Sequence, residues 1–247
     1  MSLKKKGVKI HTGATVKKIS KKNILQCEYE DKSGDHIAEG DGILVAVGRK
    51  ANTSELFGSE FLIDMERDKI QVNEHFATSV ENVYAIGDVI KGVQLAHVAS
   101  AQAIVAVEKI FGLEPTIDLS AVPSCIYTSP EIACVGLTEE EAIEKGYTVK
   151  VGKYPMLGNS NIILSMDERS YIKVICDAKN DKIIGAQILC PRATDMIGEF
   201  TTAIVNGLTT KDLGKVIRPH PTYGESVTEA IEDFEGLAIH ILPKGKK

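Results

Sequence analysis

Cysteine is sparse. The 247-residue chain has five, at positions 27, 125, 134, 176 and 190, and none belongs to a Cys-x-x-Cys pair. That spacing excludes the usual zinc-binding patterns, so no metal site is expected. An odd number of dispersed thiols fits reduced side chains filling core positions among strands. No apolar run approaches the ~18–20 residues of a membrane-spanning helix, and no signal-type segment opens the chain. The expectation is a cytoplasmic protein with no membrane partner. A basic excess is missing too. Lys and Arg total 29 against 34 Asp and Glu, a net charge of −5. Such a chain has little with which to neutralise phosphates, so nucleic acid is not an expected partner. There are no internal repeats and no low-complexity stretches.

What remains is ordinary globular composition, 43% apolar and 26% charged, enough for one large domain or two modest ones. Met1-Ser2-Leu3 reads as an internal start, and residues 4–11 follow directly as a strand pattern. Residues 14–19 and 24–30 alternate as strands, with a turn signal at Asp31-Lys32-Ser33-Gly34-Asp35. Gly42 to Arg49 is an apolar run bounded by glycines and reads as a strand buried on both faces. Residues 77–88 read as a strand ending in Gly87-Asp88. A helix rich in Ala and Val follows from 96 to 111, closed by Gly112 and Pro115. Beyond a boundary at 115–120 the texture changes. Strands are expected near 121–127, 132–136, 147–154, 171–177 and 182–190. Ile172, Val174 and Cys176 alternate as in a half-buried antiparallel strand, and Asn180-Asp181 is a turn. Thr138 and Glu141 form a capping box opening a helix at 139–145, which Gly146 closes. Thr209 with Asp212 opens another, and longer helices fit 193–206 and 225–235. Strands in series with helices to one side make an α+β layer.

Four places could carry chemistry. In Arg218-Pro219-His220-Pro221-Thr222-Tyr223-Gly224-Glu225 two prolines stiffen the backbone around one histidine. A turn there can bring Glu225 to the imidazole. A carboxylate on one ring nitrogen makes the other more basic, as a general base near neutral pH requires. The same spacing also fits a surface histidine in a proline-rich loop. Asp88 closes Ala85-Ile86-Gly87-Asp88, where a carboxylate can accept hydrogen bonds from sugar or ribityl hydroxyls, or can merely brace a turn. Leu95-Ala96-His97 stands where the helix begins and offers free N–H groups to an electron-rich acceptor, although solvent would serve equally. Gly48 ends its apolar run and could let a ligand approach the backbone.

These segments form an ordered set with Tyr127-Thr128-Ser129-Pro130-Glu131-Ile132-Ala133-Cys134-Val135-Gly136-Leu137-Thr138 and Pro191-Arg192-Ala193-Thr194. The set resembles the flavin-dependent pyridine nucleotide–disulfide oxidoreductases, and within them the branch that oxidises dihydrolipoamide with NAD⁺. The resemblance covers nearly the whole chain. It implies an α+β fold, an antiparallel sheet with flanking helices that serves as the interface (dimerisation) domain, at 119–247. Incomplete parts of the α/β nucleotide domains precede it, with the tail of the NAD-binding domain at 1–49 and a returning FAD-region segment at 50–118. The family's Gly-rich fingerprints and its Cys-x4-Cys redox pair are missing, so the resemblance implies a carboxyl-terminal part that is inactive alone.

By the same resemblance, the intact enzyme uses FAD and NAD, which this part alone would bind weakly or not at all. Asp88 would hydrogen-bond the ribityl chain of FAD. The Leu95, Ala96 and His97 backbone would face the flavin's pyrimidine edge, and Gly48 would approach NAD. His220 would be the acid/base that deprotonates the dithiol, oriented by Glu225. The protein would be a homodimer, its substrate the lipoyl domain of a 2-oxo-acid dehydrogenase or glycine-cleavage complex. Two segments depart from the pattern. Residues 154–161 (Tyr-Pro-Met-Leu-Gly-Asn-Ser-Asn) lack the Asn-Gly-Arg expected there, and a single His stands where His-x-His is frequent. The alternative is the dimerisation module of a glutathione- or mercuric-reductase-like enzyme, although the tail at 242–247 carries no Cys pair of the mercuric-reductase kind.

Overall fold

The computed structural model describes residues 2–58, 60–166 and 169–241. The chain divides into two compact units, Met1–Lys50 and Ala51–Lys247. The tail at 242–247 lies outside the described residues.

In the first unit a short helical turn, α1 (Ser2–Lys5), precedes β1 (Thr15–Lys21), β2 (Leu25–Asp31) and β3 (Gly34–Gly40), which pair antiparallel in that order. The β2–β3 turn is made by Asp31, whose carboxylate accepts from the Ser33 N–H at 2.8 Å and hydroxyl at 2.6 Å. Tyr29 is the buried residue of this small sheet, its ring between those of His11 and His36. Two expectations fail here. Residues 4–11 form no strand, because Leu3 O and Lys4 O accept from Lys6, Gly7 and Val8 and close a helical turn. The apolar run from Gly42 to Arg49 is not a strand either, and Leu44 and Val47 are 91% and 92% exposed. A strand buried on both faces needs neighbours to pair with, and no described strand pairs with this run.

The second unit opens with a two-stranded ribbon, β4 (Met65–Glu66) and β5 (Lys69–Ile70), followed by α2 (Ala96–Ile110). Residues 77–88 do not form the expected strand. Thr78 and Val83 close a tight loop with Asn82 at positive φ, leaving only an isolated bridge between Ala77 and Tyr84. The chain then enters a 3₁₀ turn at Gly87–Val89. Phe76, Ala85, Ile90, Val105 and Ala106 gather around it as a small core.

The larger core belongs to a five-stranded antiparallel sheet in the order β6-β7-β10-β9-β8. Its parts in chain order are β6 (Ser124–Ile126), β7 (Glu131–Gly136), α3 (Glu139–Glu144), β8 (Val149–Tyr154), α4 (Ser160–Ser165), β9 (Tyr171–Asp177), β10 (Ile183–Cys190), α5 (Ala193–Val205), α6 (Thr210–Gly214) and α7 (Glu225–Glu232). Alternation sets the inward face. Ala133 and Val135, Ile172 and Val174, and Ala186 and Ile188 all join one cluster. Ile197, Phe200 and Ala203 of α5 and Val227, Ala230 and Ile231 of α7 complete it. Both expected capping boxes are present, Thr138 with Glu141 on α3 and Thr209 with Asp212 on α6. None of the five cysteines is in a disulfide; Cys176 and Cys190 are buried and the other three half-buried.

One contact places everything that follows. Helix α7 lies directly on the edge strand β8 at Gly152. A Cβ there would stand 2.2 Å from Ala230 O and 2.7 Å from the Phe234 ring. Gly152→Ala is therefore expected to lift α7 off the strand, at about 1–3 kcal/mol for an overpacked contact. Urea unfolding would show it as a lower midpoint with an unchanged slope.

Candidate functional site

The helical spacing of α7 puts Glu225, Glu229 and, one turn on, Asp233 on one side, four residues apart. Each carboxylate holds a different piece of chain. Asp233 accepts the N–H of Lys153 on β8 at 2.9 Å. Glu225 binds the His220 loop. Its Oε1 lies 2.6 Å from His220 Nδ1, and its Oε2 accepts the Thr222 N–H at 2.8 Å. Glu229 is 8% exposed and fully engaged, with Oε2 accepting the N–H groups of Ile239 and His240 at 3.0 Å each. Its Oε1 lies 2.7 Å from His240 Nδ1.

The His220 side chain is 75% exposed, whereas that of Glu225 is 29% exposed. Burial works against ionisation of Glu225, but the Thr222 amide and the His220 ring outweigh it and keep the carboxyl below its ordinary range. With Nδ1 committed to the carboxylate, Nε2 has no partner among the described residues and points its lone pair or proton outward. A cavity of about 280 Å³ adjoins the pair, lined also by Tyr154, Asn159, Arg218, Glu229 and His240. Burial, with the charge of Glu229 added, pushes the Tyr154 phenol up to about 12, so it stays a neutral wall of this cavity.

Residues not singled out in the sequence hold the histidine loop in place. Asn159 caps α4, its Oδ1 accepting from Asn161 N and Ile162 N. Its Nδ2 donates to Thr222 O at 2.8 Å and Ser226 Oγ at 3.0 Å. The segment that departs from the family pattern is thus a brace for the loop. Asn before a short apolar run was the available signal, an N-cap pattern. Arg218 is the second brace. Its guanidinium is buried, pairs with Glu199 on α5 and donates to Thr228 Oγ1 at 2.9 Å.

Asp88, Leu95, Ala96 and His97 are gathered elsewhere and do not line this cavity. Gly87 has φ +71°, and a Cβ on it would meet the Ala99 side chain at 2.9 Å. Its N–H donates to the buried Gln102 Oε1 at 2.8 Å. The 3₁₀ turn that contains Asp88 therefore packs against the first turns of α2. Leu95 supplies no side-chain cap, so the first N–H groups of a 15-residue helix are left open. The His97 ring is turned away, Nε2 lying 2.9 Å from Pro123 O. An uncapped helix start can receive an electron-rich edge, and a carboxylate such as that of Asp88 can receive hydroxyls, the pair of features a flavin nucleotide presents. Gly48 lies in the first unit at φ +135° with open space at its Cβ position.

Comparison with known proteins gives these arrangements a family. The profile described as pyridine nucleotide-disulphide oxidoreductase, dimerisation domain, matches residues 122–231. The companion profile, pyridine nucleotide-disulphide oxidoreductase, matches residues 1–103. The chain belongs to the pyridine nucleotide–disulphide oxidoreductases. It is 41% identical over 244 residues to a dihydrolipoyl dehydrogenase of Bacillus subtilis, covering 96% of this chain and 51% of that one. A dihydrolipoyl dehydrogenase of Geobacillus stearothermophilus is 38% identical, with 98% and 52% covered. Among solved structures, the HOCl-induced flavoprotein disulfide reductase RclA from Escherichia coli superposes with a TM-score of 0.84 at 28% identity. That match covers 94% of this chain and 53% of that one. The chain therefore spans about half the length of these relatives.

Two outcomes follow from the site geometry. Asn159→Ala removes the α4 cap, the bond to Thr222 O in the His220 loop and the bond to Ser226 on α7, and is expected to cost about 1–3 kcal/mol in urea unfolding. The second concerns acid. Glu225 has a folded value below its ordinary 4.5, so its stabilisation is complete well above 4.5 and fades as pH falls through the lower folded value. The urea midpoint of the native chain should exceed that of Glu225→Gln at neutral pH, and the two should converge in acid.

Proposed function

We propose that this chain is the part of a dihydrolipoamide-oxidising flavoenzyme that carries the acid/base pair and the dimer contact. The single observation that supports it most is the 2.6 Å link between His220 Nδ1 and Glu225 Oε1 beside a cavity. Glu225 fixes the tautomer, so the neutral ring presents the Nε2 lone pair. Nε2 takes the proton of one dihydrolipoamide thiol, and the sulfur keeps the electron pair as thiolate. The thiolate attacks one sulfur of the redox disulfide, forming a mixed disulfide and releasing the other sulfur as thiolate. The second substrate thiol gives its proton to the thiolate released in the first step, and its sulfur displaces the first protein sulfur as a thiolate, closing the lipoamide ring and leaving the protein pair reduced by two electrons. The imidazolium formed on His220 is stabilised by Glu225 and by Thr222, which holds that carboxylate in place.

This chain contains no Cys-x4-Cys pair, so the disulfide belongs to another part of the enzyme. FAD would supply the electron transfer from the reduced pair to NAD⁺. Asp88 would hold its ribityl hydroxyls, the open N–H groups at Ala96 and His97 its pyrimidine edge, and Gly48 would face NAD. The substrate is the lipoyl group of a 2-oxo-acid dehydrogenase or glycine-cleavage complex, and the enzyme works in the cytoplasm. No helix among the described residues is long and apolar enough to cross a membrane.

The functional unit is a homodimer in which His220 serves the flavin site of the partner subunit. The dimerisation-domain match supports this, as do Leu164 and Ile217, 79% and 96% exposed. In the full-length enzyme His220→Gln should lower dihydrolipoamide:NAD⁺ turnover about 10²–10⁴-fold and leave FAD bound, as read from flavin absorbance. Wild-type turnover in that variant would refute the assignment. The present chain alone should be inactive yet dimeric by analytical ultracentrifugation, and a monomer would count against the interface.

A further inference from the structure

His220 and Glu225 are not the only imidazole and carboxylate in the cavity. One turn further along α7, Glu229 repeats the arrangement with His240. Both carboxylates take a ring Nδ1 on one oxygen and main-chain N–H groups on the other. Both rings keep Nε2 without a partner among the described residues, and all four side chains line the same cavity. Glu229 is the more buried acid, at 8% exposure. A carboxylate this enclosed is tolerated because three donors converge on it. It could have been an apolar residue if holding helix on sheet were its whole task.

We propose that Glu229 and His240 are a second imidazole–carboxylate pair of this site, coupled across the cavity to His220 and Glu225. The carboxyl-terminal segment is thereby a working wall of the site. His240 is a positioning residue. Its ring touches Glu229, and its charge, when protonated, acts on Glu225 and supports the anion that orients His220. Glu225 and Glu229 lie four apart on one helix face, so the ring that Glu229 holds is one helical turn from Glu225. The other ionisable groups facing the cluster are Tyr154 from β8 and Arg218 with its partner Glu199 on α5. Tyr154 remains neutral and Arg218 is paired with Glu199, which leaves His240 as the cationic partner described for Glu229. Among the influences that favour the ionised form of Glu225, the charge of His240 is one. Gly158 leaves room for the segment, since a Cβ there would stand 2.8 Å from His240 Cβ.

This inference rests on the acid/base role proposed for His220, but its test does not involve turnover. The Glu225 carboxyl is followed by ¹³C NMR in the 247-residue chain as pH is lowered. His240→Gln should move the Glu225 midpoint to higher pH, and His240→Lys, which restores a cation, should return it toward the native position. A merely structural His240 would not show that rescue. His240 is 60% exposed at its side chain, so neither change disturbs the core. Glu229→Gln should lower hydrogen-exchange protection of the Ile239 and His240 amides roughly tenfold or more. An unchanged Glu225 midpoint in His240→Gln, a shift that Lys fails to reverse, or undiminished amide protection in Glu229→Gln would each overturn the coupled pair. Inactivity of the full-length enzyme toward dihydrolipoamide would instead count against the proposed function and leave these titrations intact.

Discussion

Three acids on one side of α7 hold this half of the molecule together. Each accepts main-chain N–H groups from a segment that would otherwise be free to move: the edge strand β8, the histidine loop and the carboxyl-terminal segment. Bonds of this kind are charge-assisted and stronger than neutral ones. They also fix direction, because a main-chain amide cannot rotate away as a side chain can. The imidazoles are then positioned by backbone, and the hydrogen bonds to their Nδ1 atoms select the tautomer.

This constraint depends on a bare strand position. Helix α7 can present its acids at the right height only because Gly152 lets it touch β8. The aliphatic face of the sheet supplies the adhesion, through Ile172, Val174 and Ile188 against Val227, Ala230 and Ile231. Burial of that surface is non-directional and would tolerate a sliding helix. Asp233 on the Lys153 amide removes that freedom and sets the register of helix along strand.

Much of this was legible from residues alone, and what was not has physical causes. The strands β7 to β10 were readable because alternation over six to eight residues has no helical counterpart. Both capping boxes were readable because their chemistry is local. His220 and Glu225 could be paired because a proline-stiffened turn leaves few routes between them. The runs at 42–49 and 77–88 misled because apolar character marks burial without saying against what. The first has no pairing partner among the described residues, and the second spends its length on a loop around Asn82. The cap made by Asn159 had a local signal, but its hold on Thr222 and the role of Glu229 had none, because those partners lie 63 and 10 or more residues away. A polar residue whose role is to accept distant amides carries no local pattern.

The self-contained wiring around α7 has a use in protein engineering. Every hydrogen bond described for the acid helix starts and ends between β8 and residue 241, so the assembly can be treated as a cassette. Grafting it onto another sheet would demand two things of the host: an edge strand with its amides facing the incoming helix, and a residue without a side chain at the crossing point.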